Sequence, residues 1–108
     1  MRLKDITEAS NLTIENAISK MIDGYKYGRS FGKDTCYAYA GEKLAELNPS
    51  EATIRFWGLK KNNIIVHGDA ILADGKVLSD VPTEVYDKRG YELVDTMSFS
   101  KFKQLVNN

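Results

Sequence analysis

Apolar positions recur at helical spacing in the first part of the chain and alternate along most of the second. Leu12, Ile14, Ala17, Ile18, Met21 and Ile22 form one stripe, which predicts a first helix over residues 13–23 with Gly24 as its stop. Residues 25–33 are rich in glycine and aromatics and read as a loop. Asp34 or Thr35 can cap a second helix that runs to about Leu47, where Asn48-Pro49 ends it. Cys36, Tyr37, Ala40, Leu44 and Leu47 share a face of that helix, with Glu42, Lys43 and Glu46 flanking or opposite. Cys36 thereby falls in the first turn, on the margin of the buried face.

Past Pro49 the period changes from helical to two. Ala52, Ile54 and Phe56 alternate with polar neighbours through residues 52–57, and residues 60–63 make a polar turn. A longer strand follows over residues 64–72, then Asp74-Gly75, a strong hairpin signal, and a returning strand over 76–81. A further strand over residues 91–97 precedes a short terminal helix over 100–106. Helices followed by hairpin-linked strands predict an α+β domain: N-terminal helices, the second carrying Cys36, packed on an antiparallel sheet with a short C-terminal helix.

Length and charge narrow the function. At 108 residues the chain is expected to be a single domain over residues 1–108. Fifteen basic residues balance fifteen acidic ones, whereas a dedicated duplex binder needs a basic excess to neutralise phosphates. A weaker nucleic-acid reading is confined to Tyr and Lys/Arg interleaving at residues 25–33, the pattern of single-strand binding. No apolar run of about eighteen residues or more is present, so no membrane span is expected. Charges in the first five residues interrupt any signal-peptide core, and Cys36 is the sole cysteine, so a reduced, cytoplasmic setting is the expectation. One histidine and scattered acids offer no metal-ligand cluster, and no phosphate loop or other cofactor motif is present; no cofactor is expected.

What remains as chemistry is one thiol and one imidazole. A thiol is nucleophilic as thiolate, and the first turn of a helix lowers its pKa through unpaired N–H groups and the helix dipole. A histidine can take the proton, and an acid can fix the histidine's tautomer. If Asp74-Gly75 is a two-residue turn, Ala73 pairs with Lys76 and Asp69 with Asp80. His67 then shares a face with Asp80, which lies diagonal to it and within reach of an Nδ1–H. Asp80 is the preferred orienting acid. Asp69, two residues along the same strand, is read as solvent-facing and held in reserve.

The run from Cys36 at a helix start through His67 and the Asp74-Gly75 turn to Asp80 resembles the papain-like and transglutaminase-like cysteine hydrolase fold. In particular it resembles the minimal versions found in phage and bacterial genomes. The likeness spans residues 32–81 and implies Cys36 as nucleophile, His67 as general base and Asp80 as orienter. It implies a peptidase, deamidase or transamidase acting on a protein or peptide. The family's oxyanion-hole glutamine has no counterpart in residues 30–35, so the Cys36 N–H is the first candidate donor, with the Tyr25 or Tyr27 hydroxyl as the second. The alternative is a non-catalytic modulator on the same fold, phage-encoded and binding a host protein, with Tyr25, Tyr27 and Arg29 as its contact residues.

Overall fold

A computed structural model describes residues 14–28 and 35–107 of the chain. Helix α1 spans Ile14–Tyr27 and α2 spans Thr35–Leu47. Strands β1 (Ala52–Leu59), β2 (Ile65–Leu72) and β3 (Val77–Leu78) follow, then a short helix α3 (Glu84–Lys88). Strand β4 (Tyr91–Ser98) and helix α4 (Phe99–Val106) complete the order. The strands form one antiparallel sheet in the order β3-β2-β1-β4. The fold is α+β, with α1 and α2 packed on the sheet and a short C-terminal helix.

Alternation in β1 decides which face meets the helices. Ala52, Ile54 and Phe56 are buried and pair with Leu72, Ala70 and Gly68 of β2, so this set points at α1 and α2. Met21, Tyr37, Ala40 and Leu44 meet it from the helices, and Phe99 and Phe102 of α4 extend the same core. Leu47, expected on this face, is largely exposed at the helix end. Ser98 caps α4, its hydroxyl accepting the Lys101 N–H at 3.1 Å.

Gly24 does not end α1. It lies inside the helix, buried, where a β-carbon would overlap the Ala38 carbonyl of α2. Gly41 faces the Met21 carbonyl in the same way. The two glycines let the helix backbones approach closely, and this requirement outweighs the modest helical penalty of glycine. Gly28, at φ +63°, is where α1 stops, its N–H bonded to Gly24 O at 2.8 Å. Tyr25, read from sequence as loop, therefore lies in the helix and packs edge-on against Phe102 with ring centroids 5.6 Å apart. Arg29 and Asp34 lie outside the described residues, as do Leu12 and Thr13. No helix among the described residues is long and apolar enough to cross a membrane.

Candidate functional site

The β2–β3 turn sets the site, and it is longer by one residue than the Asp74-Gly75 signal suggests. Leu72 N–H bonds Lys76 O at 2.8 Å, and Gly75, at φ +93°, returns its N–H to Leu72 O at 2.9 Å. Asp74 Oδ1 accepts the Lys76 N–H at 2.9 Å, an Asx contact that favours this three-residue loop. The strands consequently pair Ala70 with Leu78 and Ile71 with Val77. The pairings of Ala73 with Lys76 and Asp69 with Asp80 are not formed. A shift of one residue exchanges the two faces of a strand. Ser79, not Asp80, therefore comes to the imidazole.

His67 is buried, 2% exposed, on the sheet face turned away from α1 and α2. Its Nε2 lies 3.1 Å from Ser79 Oγ and 2.9 Å from the Tyr86 hydroxyl. The ring stacks on Tyr91 with centroids 5.8 Å apart and meets Tyr86 edge-on at 5.0 Å. The acid expected on Nδ1–H is thus replaced by two hydroxyls on the other ring nitrogen. Burial pushes the imidazole pKa below its ordinary value, against the opposing pull of the Asp69 and Asp80 charges.

Asp69 is fully buried rather than solvent-facing. Its carboxylate is gripped by Arg55 from the paired position of β1, Nε to Oδ1 at 2.8 Å and Nη2 to Oδ2 at 2.9 Å. The Tyr86 hydroxyl donates to Asp69 Oδ2 at 2.5 Å. Tyr86, on α3, therefore joins Asp69 to His67, and burial with the Asp69 contact pushes its pKa upward. The Arg55 guanidinium lies 5.1 Å from the centre of the Trp57 ring, which packs on Tyr86 at 4.8 Å. Trp57, Tyr86 and Tyr91, with Arg55, Val77 and Thr83, line a hollow of about 450 Å³ on this face.

Tyr86 and the helix that carries it were not anticipated from sequence. The signal exists in Pro82-Thr83-Glu84, a proline, a capping-type residue and an acid in the order that opens helices. At five residues α3 is too short to show periodicity.

Cys36 stands in the first turn of α2 as expected, half-buried against the core. Its thiol donates to the Val66 carbonyl at 3.7 Å, and the sulfur takes the Gly68 N–H. These are the two peptide groups that flank His67. Strand β3 ends at Leu78, and beyond that point the thiol occupies the edge of β2. None of these bonds joins thiol to imidazole. Burial raises the thiol pKa to about 11, with a further push from the Asp80 charge. The N–H groups of Gly68, Tyr37 and Cys36 pull it down without prevailing. The low pKa expected of a helix-start cysteine is therefore reversed, because desolvation exceeds the helix-terminus effect here.

Asp80 is exposed, and its charge acts on both Cys36 and His67. Tyr25, a candidate oxyanion donor, is committed to the core beside Phe99 and Phe102, whereas Tyr27 is 58% exposed. Among the described residues no group of three or more His, Cys, Asp or Glu side chains could hold a metal ion. No protein-family model, curated protein or solved structure matches the chain.

Proposed function

We propose that the chain is a small papain-like thiol enzyme that acts on an acyl or amide bond of a protein or peptide. Cys36 is its nucleophile and His67 its general base. One observation carries the reading: the Cys36 sulfur is seated on the two peptide groups that flank His67, through the Val66 carbonyl and the Gly68 N–H. With Nε2 engaged by Tyr86 and Ser79, Nδ1 is the ring nitrogen left for the thiol proton.

The raised thiol pKa shapes the mechanism. The resting pair is neutral thiol and neutral imidazole, so proton transfer accompanies attack and does not precede it. Sulfur bonds to the carbonyl carbon while its proton passes to His67, and the carbonyl electrons move to oxygen. The Cys36 N–H serves as the donor to that oxyanion. Collapse expels the amine, which leaves with the imidazolium proton, and a thioester remains. Water or a second amine then attacks the thioester, with His67 again the base, and Cys36 is regenerated. The Asp80 charge favours the transient imidazolium.

Incubation with peptide thioesters and activated amides, followed by mass analysis of the Cys36 peptide, tests this. Acylated Cys36 in the wild type and its loss in His67→Gln is the expected result. Acylation equal in both proteins would overturn it.

A second reading has its own support. Burial that raises a thiol pKa suits a cysteine that serves only as core, and the fold then acts as a protein-binding modulator. In that case Cys36→Ala retains the biological effect, whereas the enzyme reading requires its loss.

A further inference from the structure

The hydroxyl of Tyr86 has three polar neighbours and one hydrogen. Asp69 Oδ2 is 2.5 Å away, His67 Nε2 is 2.9 Å and Ser79 Oγ is 3.0 Å. A carboxylate can only accept, and Asp69 already accepts two N–H bonds from Arg55, which fix its oxygens in place. The shortest contact, to a charged acceptor, takes the hydrogen. Burial and the Asp69 contact both push the Tyr86 pKa upward, so the phenol keeps that proton.

The Tyr86 oxygen must then act as acceptor toward its other two neighbours. An unprotonated Nε2 would set a ring lone pair against an oxygen lone pair at 2.9 Å, a repulsive contact in a buried place. A Ser79 hydrogen given to a bare Nε2, 3.1 Å away, would leave the Tyr86 contact repulsive, whereas a protonated Nε2 resolves it. The imidazole donates Nε2–H to Tyr86, and Ser79, whose own oxygen receives the Val81 N–H at 3.2 Å, donates its hydrogen to the second lone pair of the phenol. Every hydrogen in the cluster then has one acceptor.

We propose that Tyr86 is a positioning residue that holds His67 as the Nε2–H tautomer, leaving Nδ1 as the basic nitrogen, with Arg55 and Asp69 fixing the direction of the Tyr86 hydroxyl. The tautomer stands on the hydrogen-bond geometry alone. Its catalytic consequence, a ready base on the ring nitrogen left to Cys36, rests on the function proposed above. Ser79 plays the lesser part, because its hydroxyl can rotate, whereas the phenol would give up its shortest contact, to a charged acceptor, by turning from Asp69.

His67 is the sole histidine of the 108-residue chain, so its ring nitrogens can be read there without assignment ambiguity. Long-range ¹H–¹⁵N correlation spectra at pH 8 are expected to show Nε2 protonated and Nδ1 bare. In Tyr86→Phe, which keeps the ring and removes the hydroxyl, the two tautomers should mix. Ser79→Ala should keep the Nε2–H form. An Nδ1–H ring in the wild type, or a Tyr86→Phe protein that retains pure Nε2–H, would overturn the proposal. The wild-type spectrum is decisive by itself where a variant fails to fold. An Nε2–H ring in a protein whose Cys36 accepts no acyl group would leave the tautomer standing and remove the enzymatic reading.

Discussion

The Cys36 thiol rests 3.7 Å from the carbonyl oxygen of Val66, the residue that precedes His67. Thiol and imidazole are thus linked through the strand backbone rather than by a direct bond between side chains. The imidazole faces a network of hydroxyls and a buried ion pair, while the thiol faces the hydrophobic core. The two environments account for a neutral thiol and a neutral imidazole at rest.

Iodoacetamide reacts with thiolate and needs no proton transfer to the enzyme. Its rate at Cys36 is expected to be slow at pH 7 and to climb toward an inflection near pH 11, the value that burial imposes. Stopped alkylation with intact-mass detection across pH 6–11 checks this. An inflection near or below pH 7 would show a preformed thiolate that the burial of Cys36 does not allow.

Arg55 and Asp69 form the buried ion pair beneath His67, with Asp69 fully enclosed. Arg55→Met leaves that carboxylate unpaired and should destabilise the protein by about 3 kcal/mol in urea denaturation. Replacing both residues by apolar ones should recover part of the loss. A single variant as stable as wild type would show that the pair does not hold this face together.

The α1–α2 contact depends on two glycines. A β-carbon at Gly24 would overlap the Ala38 carbonyl, and one at Gly41 would overlap the Met21 carbonyl. Gly24→Ala and Gly41→Ala, normally favourable exchanges inside a helix, should each cost about 1–3 kcal/mol through forced separation of the helices. Thermal or urea unfolding measures it, and stabilisation by either exchange would contradict the packing described.

The burial of His67 gives stability a pH dependence with a definite sign. Its folded pKa lies below the ordinary value of 6.5, so the unfolded chain binds more protons as pH falls past that value. The stability His67 contributes is intact above pH 6.5 and is lost progressively as pH falls below it. Urea unfolding from pH 7.5 to 5 should therefore show a decline in the wild type that His67→Gln lacks. Parallel curves would mean that the imidazole charges freely where it sits.

Much of this arrangement can be read from residues, and the remainder has identifiable causes. The alternation of Ala52, Ile54 and Phe56 and the helix-start position of Cys36 place β1 and α2 without reference to tertiary contacts. Gly24 misleads because the same residue ends helices and lets helices touch, and only the partner at Ala38 distinguishes the two uses. Asp74-Gly75 suits hairpin loops of two or three residues, and that single residue decides whether Ser79 or Asp80 reaches His67. Asp69 escapes a solvent-facing assignment only through Arg55 and Tyr86, which arrive from another strand and from a helix too short to announce itself.

The most direct test of the Cys36–His67 pair compares acylation of Cys36 by a neutral peptide thioester in wild type and His67→Gln from pH 5 to 10. The wild type should react at pH 7–8 at least about a hundredfold faster than the variant, the low end of what a positioned base contributes. Its rate should fall as His67 becomes protonated, below pH 6.5, while the variant should rise only with thiolate toward pH 11. Superimposable profiles for the two proteins would contradict the pairing of Cys36 with His67.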